Sequence, residues 1–326
     1  TADTLHMIFR EVRANPRRVV FAEGEEEKAI RAAASYKAAG YGTPILVGVK
    51  DRVLASMKAI GIANPDEFEI TNAALSSRNK EYADYLYARL QRRGLLYRDC
   101  QRMVHLDRNV FASCMVAHGD GDALITGLTR SSFVSYGEVR RVFDPRPGEL
   151  AFGLTMLIAR GRTVFIADTL VHEVPVPEEL AAIAAQAAAK ARQMGHFPRV
   201  ALLSFSTFGD PLREKGKRIR EAVDILDTQK VDFEYDGEMA ADIALDHGLM
   251  RQHYPFCRLS GPANVLVMPA LDPANIASKL MQELGGGTVI GPLLLGLEKP
   301  VQIVPMGASV SEIVTMAALA AHESLR

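Results

Sequence analysis

Residues 264–316, NVLVMPALDPANIASKLMQELGGGTVIGPLLLGLEKPVQIVPMGASVSEIVTM, leave this chain few ways to fold. Val265 to Met268 is a short, wholly apolar run of the kind found in a strand buried on both faces. Asp272 and Pro273 read as a cap and first-turn pair, after which Ile276, Leu280 and Leu284 recur at helical spacing. Gly285 to Gly287 end that helix, and Val301 to Val304 reads as a second strand. Ser309 and Glu312 form a capping box, in which each side chain satisfies the other residue's backbone N–H. The helix it opens buries Ile313, Met316, Ala317 and Ala320. Strand, helix, strand and helix in this order predict an α/β architecture.

The same alternation runs upstream. Arg18 to Ala22 is a strand, and Glu25 to Glu27 open a helix with the acidic start that a helix dipole favours. Pro44 to Val47 is a strand, Glu81 to Arg93 is helical, and Asp122 to Thr126 is a buried strand. Leu128 to Tyr136 reads as a loop. Thr163 to Ala167 and Arg199 to Leu203 are strands on either side of an Ala-rich helix opened by Pro177. Asp210 and Pro211 start a strongly charged helix, and Asp232 to Tyr235 is a further strand. The pattern predicts two α/β domains with largely parallel sheets, divided after the turn Asp144 to Gly148.

The formal charge of −1 over 326 residues excludes a general nucleic-acid or membrane surface, so any anionic partner must be met by local cations. No apolar run approaches the roughly 20 residues that span a bilayer. Three cysteines, Cys100, Cys114 and Cys257, form no pattern and point to a reducing, cytoplasmic setting. The histidines show no ligand spacing, so no metal is expected here.

Ser204, Ser206 and Thr207 lie between a strand and a helix, where open α/β sheets bind ligands. Arg130, Ser131 and Ser132 hold the matching place in the other domain, and the two loops are expected to face one cleft. Lys215 and Arg218 share a helix face. Arg92, Arg93, Arg98 and Arg102 form a second basic set. Such clusters are usually solvated surface, but they are also the cations this chain has for a ligand bearing several phosphates.

The motifs carry a resemblance over nearly the whole chain. VVFAEGEEEKAIRAA, GDGDALITG, LLSFSTFGD, and the C-terminal run in which Asn275, Ile276, Lys279, Leu280, Ile290 to Pro292, Gly296, Lys299 and Pro300 fall into place are similar to phosphate acetyltransferases. The resemblance implies a two-domain αβα sandwich of the phosphate acetyltransferase or isocitrate-isopropylmalate dehydrogenase-like type. It also implies that the closing helix returns to the first domain, giving domains of 1–148 with 305–326 and of 149–304 with a cleft between them, and that the second half pairs subunits, through its Ala-rich helix and C-terminal strands.

In that family a Ser-Arg pair precedes the last helix and an Asp lies in its first turn. Here those places hold Pro305, Met306 and Glu312. The arginine-rich RLQRRG stretch strengthens a likeness to the C-terminal part of large bacterial NADP-dependent malic enzymes. This implies a non-catalytic domain that binds acetyl-CoA and regulates malate decarboxylation in an attached region, which would carry the NADP and divalent metal. The expected acetyl-CoA or anion contacts are Arg93, Arg102, Arg130, Ser131, Ser132, Ser204, Ser206, Thr207, Lys215, Arg218 and Asn275. Two other readings stay open: an active acyltransferase with Glu312 as base and Arg130 or Arg140 as the cation, and a dimerisation module with no ligand.

Overall fold

The computed structural model describes residues 2–326, with side chains from Thr4 onward. In chain order it begins with helix α1 (Ala2–Ala14), strand β1 (Val19–Phe21), α2 (Glu27–Ala38), β2 (Pro44–Val47), α3 (Lys50–Ile60) and β3 (Glu69–Thr71). Four helices follow, α4 (Asn79–Leu90), α5 (Tyr97–Leu106), α6 (Arg108–Ala117) and, after β4 (Ala123–Thr126), α7 (Ser132–Arg140). Next come β5 (Phe152–Ala159), β6 (Arg162–Ala167), α8 (Pro177–Gln193), β7 (Arg199–Leu203), α9 (Glu214–Gln229) and β8 (Glu234–Met239). The chain continues through α10 (Ala241–Leu245), α11 (His247–His253), β9 (Val265–Val267), α12 (Leu271–Leu284), β10 (Thr288–Leu295), β11 (Val301–Ile303) and α13 (Val310–Glu323).

These elements divide into two compact units, residues 5–144 with 297–326, and residues 145–296 with the chain's start as far as Thr4. In the discontinuous unit five parallel strands run in the order β11-β4-β1-β2-β3. Their side chains are wholly apolar at Val19, Val20 and Phe21 because both faces of the sheet are covered, and these residues are fully or almost fully buried. In the inserted unit six strands run in the order β10-β5-β6-β9-β7-β8. The pairs β6·β9, β9·β7 and β7·β8 are parallel, whereas β10 and β5 run antiparallel to their neighbours.

Several expectations need correction. The unit boundaries fall at 144/145 and 296/297 instead of 148/149 and 304/305. The second moves because Val301 to Ile303 pair with Leu124 to Thr126 of β4, so this strand belongs to the five-stranded sheet. The sequence pattern gives no strand at β3, β5 or β10. β5 turns into β6 through Arg160 and Gly161, both at positive φ, which suits a tight hairpin.

Residues 128–136 are not all loop, since Ser131 caps α7 by accepting the Val134 N–H. The charged helix starts at Glu214, four residues beyond Asp210, because Thr207 and Asp210 exchange backbone hydrogen bonds in a closed turn. Helix α12 starts one residue before Asp272, with Ala270 as a cap that offers no side-chain bond. Its stripe does not face the core: Ile276, Leu280 and Leu284 are 57%, 54% and 81% exposed.

Candidate functional site

Each unit builds a loop at the carboxyl ends of its parallel strands, and each loop is organised by one buried glutamate. In the five-stranded unit, Glu23 lies two residues beyond the end of β1 and is 3% exposed. Its carboxylate accepts the N–H groups of Gly127, Leu128 and Thr129, each at 2.7 Å, and the hydroxyl of Thr129, while the Thr126 hydroxyl oxygen lies 3.3 Å away. Three successive amides aimed at one carboxylate fix the loop after β4. Gly127 has φ +125°, and a Cβ there would stand 2.1 Å from the Val304 carbonyl, so only glycine lets the loops after β4 and β11 approach this closely.

A polar chain extends from this hub. The Thr126 hydroxyl donates to Asn109, whose amide donates to Glu138 at 2.6 Å. Glu138 holds Arg130 at 2.6 Å, and Asp107 reaches the same guanidinium at 3.3 Å. Arg130 is thus neutralised by two carboxylates, and Ser131 is occupied as a helix cap. Ser132, in the first turn of α7, is half-buried.

After β11 the loop exposes Pro305 and Met306, the latter 58% exposed. Lys28 of α2 donates to the Ala308 carbonyl at 3.0 Å and pins the loop's end. The capping box is complete: Glu312 N–H donates to Ser309 Oγ at 3.1 Å, and Ser309 N–H donates to Glu312 Oε2 at 3.0 Å. The loop therefore presents no hydroxyl and no guanidinium at 305 and 306, and the Glu312 carboxylate is tied to its own helix start.

In the six-stranded unit the hub is Glu238, fully buried in β8. It accepts from the Ser206 hydroxyl, from Gly209 N–H at 2.9 Å, and from Arg220, which reaches both carboxylate oxygens at 2.8 Å. Gly216 lets α9 come this close, since a Cβ there would lie 2.2 Å from Glu238 Oε2. Thr207 accepts the Ala240 N–H at 3.0 Å, and Ser204 lies 3.4 Å from the Ser206 hydroxyl. Of the three hydroxyls in this loop, Ser206 and Thr207 are buried and committed, and Ser204 is half-buried.

Lys215 is exposed at the start of α9, whereas Arg218 is braced on the carbonyls of Pro175 and Pro269. Burial lowers the Arg218 pKa from its ordinary value, the direction expected for a cation without a carboxylate beside it. Asn275 is half-buried on α12. In the five-stranded unit Arg92 and Arg93 share a 3-10 turn, and Arg98 and Arg102 are one helical turn apart on α5, all exposed. None of these four has an ion-pair partner among the described residues.

The structure therefore gathers Arg130, Ser131 and Ser132 around one loop and Ser204, Ser206 and Thr207 around another. Arg93 lies on the 3-10 turn after α4 and Arg102 on α5. Sequence reasoning missed both organising glutamates. For Glu23 the available signal was an acidic residue after an apolar strand and before Gly24; Glu238 lies inside the polar strand EYDGEM, where only its place after Gly237 sets it apart.

With this geometry in view, the chain's relatives fall into two groups. The model for phosphate acetyl/butaryl transferase matches residues 3–321. An NADP-dependent malic enzyme of Rhizobium meliloti (strain 1021) is 52% identical over 99% of this chain, but only 42% of that protein is covered. A phosphate acetyltransferase of Staphylococcus aureus (strain Mu50) is 29% identical over the full length of both chains. Among solved structures, a phosphotransacetylase from Streptococcus pyogenes superposes with a TM-score of 0.90 at 28% identity, covering 98% of each chain. The chain spans less than half the length of the malic enzymes it matches and nearly all of the acetyltransferase, and on the family match across residues 3–321 it belongs to the phosphate acetyl/butaryl transferase family.

Proposed function

We propose that this chain is a non-catalytic member of its family, which binds acetyl-CoA and allosterically regulates NADP-dependent malate decarboxylation by a further region of a larger polypeptide. The observation that carries this reading is the loop after β11. Moving an acetyl group between CoA and phosphate requires a base for the thiol and fixed donors for the developing oxyanion. Pro305 has no N–H, Met306 has no side-chain donor, and Glu312 is engaged in its capping box. Losing one such donor costs roughly 10² to 10³ in rate. The cations of the active-enzyme alternative are also committed, Arg130 to Glu138 and Asp107, and Arg140 to the Phe143 carbonyl and Asp144.

The 52% identity to a malic enzyme more than twice this chain's matched length supports the regulatory setting. In this reading NADP and a divalent metal belong to the attached region, this domain needs no cofactor of its own, and the protein works in the cytoplasm. An assay with acetyl phosphate and CoA, beside calorimetric titration of acetyl-CoA, tests it. Binding without turnover is expected, and turnover near 10 per second, an ordinary enzyme rate, overturns it.

The same reading includes self-association of at least two copies. The support comes from α12, because the apolar face of the Ala-rich helix α8 is already buried. Ile276, Leu280, Met281 and Leu284 are exposed on α12, and the last three form one wall of a groove of about 470 Å³ whose other walls include Leu157, Val164 and Leu245. An exposed apolar wall and groove on one patch, with Arg160 and Arg162 lining the groove and Glu283 on α12, offer both apolar surface and opposite charges to a second copy across a two-fold axis. Sedimentation showing only monomer at micromolar concentration would count against it.

A further inference from the structure

A second apolar groove, of about 460 Å³, lies in the five-stranded unit among α1, α2 and α13. Phe9, Tyr41, Val310 and Val314 supply its apolar surface, and the hydroxyls of Ser35 and Ser311 its rim. Arg13 stacks over the Tyr41 ring at 5.0 Å and donates to the Ala39 carbonyl, but meets no carboxylate among the described residues. A small polar ligand is held by several convergent polar groups; of the hydroxyls lining this groove, that of Thr315 donates to the Ser311 carbonyl and that of Tyr41 accepts from Arg13, which leaves those of Ser35 and Ser311 to meet a ligand. The groove lacks an exposed apolar wall like that of α12, since Val310 and Val314 are half-buried in its own wall. An amphipathic protein segment, with apolar side chains for the floor and a carboxylate for Arg13, matches what is left uncovered.

We infer that this groove seats an amphipathic segment of the longer polypeptide, from the more than half of the malic-enzyme length that lies outside these residues. The inference rests on the regulatory reading and gives it a route. Val310 and Ser311 are the first two residues of α13, directly after the loop of Pro305 and Met306. Lys28, on α2, holds that loop through Ala308, and Ser35 of the same helix lines the groove. A segment resting on Val310 and Val314 therefore touches the helix turn that follows the loop of Pro305 and Met306, so a shift of that loop changes the surface the segment sees. Coupling of this kind needs the segment to fit one loop position better than another.

The test uses the full-length polypeptide. With Ser35 or Ser311 replaced by a benzoylphenylalanine photocrosslinker, crosslinks are expected to map outside this 326-residue region, on an amphipathic segment. Crosslinks to the same region of a second copy, or none, overturn the inference. Separately, S35R and S311R should reduce the acetyl-CoA effect on malate turnover from the 5- to 150-fold typical of allosteric coupling to less than about 2-fold. Basal turnover and acetyl-CoA binding should be retained. An undiminished effect in both variants also overturns it. If the unaltered protein shows no acetyl-CoA effect, the regulatory reading fails while the crosslinks still decide who occupies the groove.

Discussion

Glu23 and Glu238 do the same job in the two units by different means. Both are buried carboxylates that gather the donors of a loop at the carboxyl end of a parallel sheet. Glu23 is satisfied by backbone amides and the Thr129 hydroxyl, with no cation among its partners. Glu238 is satisfied by one amide, one hydroxyl and the Arg220 guanidinium. The difference is one of tolerance. An array of oriented N–H dipoles stabilises a charge without needing a second charge, whereas a buried ion pair is balanced only while both members remain.

The largest expected effect follows from that imbalance. Arg220→Met leaves a fully buried carboxylate without its cation and should cost about 3 to 5 kcal/mol, read as a lowered denaturant midpoint for the inserted unit. Glu23→Gln keeps the shape but turns an NH₂ towards amides that need an acceptor. It should cost about 1 to 3 kcal/mol and speed amide exchange at Gly127 to Thr129. If Glu23→Gln proves the more damaging, the comparison fails.

Asp168 sharpens the contrast, because it uses both devices. It accepts the N–H groups of Gly153, Leu170, Val171 and His172, and also holds the His172 ring at 2.7 Å, with Glu179 on the ring's other nitrogen at 3.1 Å. The hydrogen bond to Asp168, foremost, raises the His172 pKa above its ordinary 6.5, against an opposing contribution from burial. A raised folded-state pKa means that the stabilisation is fully present below about pH 6.5 and fades as pH rises through the higher folded value. The stability gap between the unaltered protein and His172→Gln should narrow over that rise, in thermal scans across pH. A gap independent of pH would place the whole of Asp168's work on its amides, as for Glu23. The smallest effect is expected for Ser309→Ala, which removes one half of a local cap and should cost about 1 kcal/mol in the same scans.

These residues also mark what the sequence could disclose. Ser309 and Glu312 were legible because a capping box spans four consecutive residues and needs nothing else. Glu23 was not, because its donors lie 104 to 106 residues away. Val301 to Ile303 read correctly as a strand, but an apolar run states that it is buried and not beside which neighbour, and so it was assigned to the wrong unit. Ile276, Leu280 and Leu284 show the complementary limit. Helical spacing of apolar residues marks a face removed from water, and cannot say whether the chain's own core or another molecule covers it. Arg218, read from sequence as a ligand cation, is braced on carbonyls that only the folded chain brings to it.

The pairing of β11 with β4 carries a consequence for synthesis. The five-stranded sheet needs Val301 to Ile303 alongside Leu124 to Thr126, which leave the ribosome about 175 residues earlier. At ordinary elongation rates of about 5 to 20 residues per second, β4 waits roughly 10 to 35 s with one apolar edge unpaired. Over the same interval the chain from 145 to 296 emerges without interruption and holds every strand of its own sheet. The inserted unit can therefore fold while its host is still incomplete, and the exposed edge of β4 is where a nascent-chain chaperone has most to protect.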